Sequence, residues 1–223
     1  MKLKIDFVSQ QGNAARNDCG AACVAMCASS AEAGVSVDDV LLVANRPVNE
    51  PLHMTTLFAV LRAYGLPHAH TRPLALPNLR EALVQGWAVI VLVNYGRLPV
   101  ELKATDYNAN HYVLVVGFEP GLFLVHDPLW PGQAGAYRAW PEAVLGEAML
   151  HPLLAMAMQG IVVRKPWPVL GPEMGELGLV VSEVLRERTA VAYLEQILGA
   201  MGFGEGPLAE RVGHALAWVV ARK

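Results

Sequence analysis

Apolar residues recur with two different periods along this chain, and the change between them falls near residue 87. Before it, the spacing is helical. The run after Asp18 to about Ser30, SVDDVLLVA over 36–44, His53 to Tyr64, and Asn78 to Gln85 each read as a helix. Ser36 opens the second with acids in its first turn, Gly65 and Pro67 stop the third, and Gly86 stops the fourth. Beyond residue 87 the runs become β-branched and aromatic: WAVIVLVNY (87–95), HYVLVVGF (111–118) and LFLVHD (122–127), with QGIVV (159–163) as a further strand. A short strand is also expected over Leu3 to Val8, and residues 96–110 read as a loop near a site. Helices come first and strands after, which predicts an α+β fold rather than an alternating α/β one.

A proline-rich joint, KPWPVLGP (165–172), precedes Leu177, Val180, Val181, Val184, Val191, Leu194, Ile197 and Leu198, which fall at helical spacing. Two units follow: a main domain over 1–168 and an α-helical extension over 173–223, available for packing, self-association or a partner. Composition narrows the rest. The 223 residues are 54% hydrophobic and 17% charged with net charge -3, enough apolar surface for a large core and no basic face for nucleic acid. No run approaches the roughly 20 apolar residues of a membrane span, and MKLKIDFVSQ lacks the apolar region of a secretory signal, so a cytoplasmic protein is expected. No GxxxxGK[ST] nucleotide loop is present. Neither a metal nor a cofactor is expected, because the three cysteines stand four residues apart on one helix, unlike a zinc knuckle.

Those cysteines are not equivalent. Cys19 follows Asp18, a good N-cap residue, and sits in the first helical turn, where unpaired N–H groups and the helix dipole favour a thiolate. Cys23 and Cys27 lie near one helix face and read as core. A base and its orienter come from the strands. His111 opens one and Asp127 closes the next, and the connection around Phe118 to Gly121 is short enough for a hairpin. The two are therefore expected as cross-strand neighbours within about 5–8 Å, a relation that a one-residue register slip would abolish. His126 points to the other strand face, as a surface or second-layer residue. Asp106 reads as solvated; Trp87, Trp130 and Trp140 as core; and His53, His68, His70, His151 and His214 as structural. Gly20 either clears a substrate's path or serves a local turn.

The blocks NDCGAACVAM (17–26), NHYVLVVGF (110–118) and LVHDPL (124–129), in this order across about residues 3–165, resemble the signature blocks of the bacteriocin-processing, double-glycine leader peptidase family and its stand-alone relatives. The resemblance implies a papain-like fold and a cysteine peptidase that hydrolyses a peptide or peptide-like amide of a peptide or protein substrate. Cys19 would be the nucleophile, His111 the base and later the acid, and Asp127 the group that orients the imidazole. It also implies an upstream glutamine in the oxyanion hole. Gln10 and Gln11 compete for that place, and Gln10 is favoured because the SQ pair ends the N-terminal strand, as in the stand-alone relatives; the Cys19 backbone N–H is the natural second donor. Two other readings stay open: a catalytically inactive peptide-binding relative, and an amidase, transglutaminase or peptidoglycan-peptide hydrolase with the same triad.

Overall fold

The computed structural model describes residues 1–10, 17–29, 34–71, 73–150 and 158–170. The chain divides into two compact units, Met1–Met174 and Gly175–Lys223. The helices expected over 173–223, and any self-association through them, lie outside the described residues, as do Gln11, His151 and His214. No helix among the described residues is long and apolar enough to cross a membrane.

The element order is α1 (Cys19–Ala28), α2 (Val37–Ala44), α3 (Met54–Ala63), β1 (His68–Thr71), α4 (Leu76–Val84), β2 (Ala88–Asn94), β3 (Asn110–Glu119), β4 (Leu122–His126), β5 (Arg138–Pro141), α5 (Glu142–Leu150) and β6 (Gly160–Val163). The strands form one sheet in the order β1-β6-β2-β3-β4-β5, every described pair antiparallel. The fold is α+β.

Each foreseen helix has a local cause. Ser36 caps α2 with a reciprocal pair: the Asp39 N–H donates to Ser36 Oγ at 3.1 Å, and the Ser36 N–H donates to Asp39 Oδ2 at 2.9 Å. The helix α4 starts two residues earlier than the spacing predicts. Pro77 suits a first turn, where no intrahelical N–H is missed, and Asn78 Oδ1 accepts the Ala75 N–H at 2.9 Å. Gly20 through Cys27 of α1 are all buried, which explains why this helix is apolar all round. Every residue of β2 is buried as well, because α4 and α5 pack on it while α1 packs on β3. The short edge strands β1 and β5 and the helix α5 carry too little periodicity to be foreseen; β5, sequence RAWP, ends in a proline that an edge strand tolerates.

The expected strand over Leu3–Val8 does not form. This segment is extended but makes only isolated bridges, Lys2 with Gly117 and Leu3 with Val169. The cause lies in β3, whose pairing with β4 shifts between Val115 and Gly117. Val116 is the extra residue of a β-bulge, and its carbonyl accepts the Leu3 N–H at 2.8 Å. Gly117 permits the close approach, since a Cβ there would stand 2.5 Å from the Met1 carbonyl oxygen.

Candidate active site

Three elements meet at Cys19. The first is the start of α1, where Asp18 holds the N-cap position without a capping hydrogen bond. Its buried carboxylate instead accepts the Asn49 N–H at 2.9 Å, while Asn49 Oδ1 accepts the Asn17 N–H at 3.0 Å. The capping role read from the sequence is thus replaced by a clamp that holds the loop before α3 beside the helix start. Gly20 is closely packed: a Cβ there would press on Leu57 at 3.1 Å and on Tyr112, a residue of the cleft wall, at 3.3 Å.

The second element is β3. The Tyr112 N–H donates to Cys19 Sγ at 3.5 Å, and His111, one position earlier on β3, has its ring electrostatics influenced by Cys19. The third is the end of β4, where His111 Nε2–H donates to Asp127 Oδ1 at 2.8 Å. His111 and Asp127 are 1% and 0% exposed, so this pair works in a water-poor setting where each polar contact counts for more. They are not direct cross-strand partners. His126 lies opposite Leu114, so continuing the register would set Asp127 across from Val113, two residues from His111 and on the same face. The bulge at Val116 makes this so; without it the register from the Gly121 turn would put Asp127 opposite Leu114, on the other face.

Asp127 is held from every side. Oδ1 also accepts the Leu129 N–H at 3.1 Å, and Oδ2 accepts the Tyr95 hydroxyl at 3.0 Å. Tyr95 is fully buried, packs edge-on against the His111 ring at 5.0 Å, and accepts the Ala104 N–H at 2.7 Å. No motif pointed to it; the available signal was an aromatic closing the β2 run. Gln10 is buried at 2% exposure, and its backbone N–H donates to the Pro128 carbonyl at 2.9 Å, which ties it to the loop following Asp127.

The electrostatics follow from this geometry. Burial alone would lower the pKa of His111; the hydrogen bond and charge of Asp127, with Cys19 beside the ring, outweigh it and push the imidazole up to about 10. Burial pushes the Cys27 thiol up to about 12, and it moves Cys23 in the same direction, with the neighbouring thiols adding to it. Both are fully buried, whereas Cys19 is partly exposed. The distinction between one addressable thiol and two core thiols therefore matches the sequence reading. Trp140 is fully buried, as expected, and Asp106 is exposed in its loop.

Of the two places expected for His126, surface or second layer, the structure takes the second: Nε2–H donates to the Ile5 carbonyl at 3.0 Å, Nδ1 accepts the Tyr137 N–H at 3.0 Å, and the residue is 0% exposed. The extended N-terminal segment covers it. Burial lowers its pKa to about 4, against 6.5 for an unperturbed ring. The unfolded chain therefore binds a proton that the native chain refuses between those values, so stability is lost as pH falls from 6.5 through about 4. Fully expressed, this is worth about 3 kcal/mol. Urea titrations at pH 7 and pH 4.5 should show the loss, and a His126→Gln chain should show a flatter acid limb.

A cleft of about 560 Å³ opens beside Cys19, walled by Leu52, Leu92, Tyr107, Ala109 and Tyr112. It places open space next to the thiol. Comparisons with known proteins now bear on this arrangement. The sequence profile of the Peptidase C39-like family matches residues 2–148, a stretch that contains Cys19, His111 and Asp127. The chain belongs to the Peptidase C39-like family. Among curated proteins nothing matches. A C39-like peptidase structure from Bacillus anthracis superposes on this C39-like chain with a TM-score of 0.54 at 15% identity, covering 75% of this chain and 100% of that one. The peptidase domain of Streptococcus ComA, a bifunctional ABC transporter involved in quorum sensing, gives 0.50 at 12% identity, covering 71% and 98%. A double-glycine-motif protease of an AMS/PCAT transporter, in complex with a leader peptide, gives 0.47 at 17% identity, covering 72% and 91%. The first two share the papain-like C39 fold.

Proposed function

We propose that this C39-like chain is a cysteine peptidase that cleaves a peptide or peptide-like amide through Cys19, His111 and Asp127. The observation that carries this reading is the buried His111–Asp127 pair, at 2.8 Å, with Cys19, the one partly exposed thiol of three, close enough to influence the ring. The raised pKa of His111 keeps its imidazole protonated at neutral pH, so the proton for the leaving amine is in place beside Cys19.

In the first half-reaction, the Cys19 thiolate attacks the carbonyl carbon and the carbonyl electron pair moves onto oxygen. The Gln10 side-chain amide and the Cys19 backbone N–H are assigned to that oxyanion. As the intermediate collapses, the C–N bond breaks and the leaving amine takes the proton of His111. In the second, neutral His111 takes a proton from water, whose oxygen attacks the thioester; collapse returns the carboxylic acid, the thiolate and the imidazolium. The open cleft beside Cys19 and the presence of Cys19, His111 and Asp127 together weigh against an inactive peptide-binding relative.

The test combines two measurements on the full chain. Iodoacetamide followed by peptide mapping should modify Cys19 at least about 100 times faster than Cys23 or Cys27. A peptide library analysed by mass spectrometry should reveal new termini. Equal, slow labelling of all three thiols together with an untouched library would sink the reading.

Tyr95 acts here as a positioning residue, since it touches Asp127 and not the reacting atoms. Tyr95→Phe leaves one carboxylate oxygen and the Ala104 N–H each short of a buried partner, costing about 1–3 kcal/mol of stability. Turnover should fall by roughly 3- to 10-fold in kcat with KM little changed, and the alkaline limb of the pH profile should move. A purely structural role would leave that limb in place.

A further inference from the structure

The cleft beside Cys19 has a chemical character that the peptidase reading does not by itself specify. Its volume, about 560 Å³, falls within the roughly 300–1,000 Å³ typical of ligand sites. Its walls are preformed. Leu52, Leu92 and Tyr112 are 4%, 2% and 6% exposed, so each is fixed by the core behind it and offers only one apolar flank to the opening. Tyr107 is held in place by donating its hydroxyl to the Asn110 carbonyl at 3.3 Å, with its ring 6.4 Å from that of His111. The Asn17–Asp18–Asn49 clamp fixes the loop that supplies Pro51 and Leu52. The described lining holds no Asp, Glu, Lys or Arg, and its polar members Asn17, His53 and Asn110 sit among leucine, tyrosine, proline and alanine. Such a cavity gains nothing from glycine, which leaves it filled with water, and its mainly apolar walls strip a charged side chain of more solvent than these few polar groups replace.

We infer that this cleft is a specificity pocket for a bulky apolar side chain, such as leucine or phenylalanine, carried by the substrate within two residues of the scissile carbonyl. The inference rests on the peptidase reading and deepens it: the substrate is a peptide with a large apolar residue at the cut, not one with small or charged residues there. Nearness sets the position. Cys19 itself lines the cleft, so a carbonyl in reach of Sγ puts only its own residue or an adjacent one over the opening.

Dipeptidyl fluoromethyl ketones test this on the intact protein. Two sets are used, acyl-Xaa-Gly and acyl-Gly-Xaa, with Xaa as Gly, Ala, Leu, Phe, Glu or Lys, and the rate of Cys19 modification is read by intact mass. In one set, Leu or Phe should react roughly 10- to 100-fold faster than Gly, with Glu and Lys no faster than Gly. Ala109→Phe, which fills the cleft, should shrink that advantage to within about 3-fold, and Pro51→Glu at the exposed edge should weaken it and help Lys. Flat rates, or rates highest for Gly or a charged residue in both sets, overturn the inference. Iodoacetamide has no side chain to seat and separates the two claims. If it labels Cys19 selectively while the side chains do not discriminate, the pocket assignment falls and the peptidase reading stands. If it does not label Cys19 selectively and the peptide library stays untouched, both fall.

Discussion

Cys19→Ala is expected to reduce peptide cleavage by a factor of at least about 10⁴ and to remove all rapid thiol labelling, while the chain stays folded. The size of the effect follows from the proposed chemistry. Without Sγ there is no acyl acceptor, and the remaining groups can only polarise a carbonyl or hold water. Labelling should vanish rather than move to another cysteine, because burial keeps the Cys23 and Cys27 thiols protonated and shut away. Stability should change by less than about 1 kcal/mol, because the thiol is partly exposed and its bond from the Tyr112 N–H is long at 3.5 Å. Intact-mass labelling, a cleavage assay and a thermal melt on the same preparation check all three. Undiminished cleavage in a folded variant would remove Cys19 from the mechanism.

Asp127→Asn should lower kcat by roughly 10²- to 10⁴-fold and move the alkaline limb of the activity profile down from near pH 10 by more than one pH unit. The sign follows from what acts on His111. Burial disfavours its charge, and the carboxylate is the main influence that restores it. An amide keeps the hydrogen bond at Oδ1 but not the charge, so burial prevails and the imidazolium needed to protonate the leaving amine becomes scarce. The profile of the parent chain should fall only as His111 loses its proton near pH 10. Stability follows the same group. The native chain holds a proton that the unfolded chain has released between about 6.5 and 10, so this contribution is complete below 6.5 and disappears as pH rises through 10. The Asn variant should lack that alkaline loss. A variant whose pH profile matches the parent would show that Asp127 does not govern His111.

The elements legible in the sequence were those with a local physical cause. The reciprocal cap between Ser36 and Asp39 spans three residues, and the turn at Gly121 joins two strongly apolar strands; both are written in adjacent positions. The contrast among Cys19, Cys23 and Cys27 is also local, set by where the helix begins and by its apolar faces. The features misread or left open share a different origin. Asp18 had every mark of a capping residue, yet its carboxylate serves Asn49, 31 positions away. Strand alternation gives the face that His126 uses but leaves surface and second layer open; the Ile5 segment, far away in sequence, covers that face. Tyr95 reaches Asp127 across 32 positions, a distance at which no spacing rule operates.

The sequence by itself therefore determined the α+β order, the single helix-start cysteine, and the candidates His111 and Asp127 in family order. Caps, periods and motif order all arise from neighbours along the chain. Only the tertiary structure decided that these candidates meet. A one-residue bulge at Val116 sets the face on which Asp127 emerges, a backbone N–H and a buried tyrosine hydroxyl hold its carboxylate beside His111, and an asparagine clamp shapes the apolar cleft beside Cys19. Each of these depends on register and packing between segments far apart in sequence, where a shift of a single residue reverses the outcome.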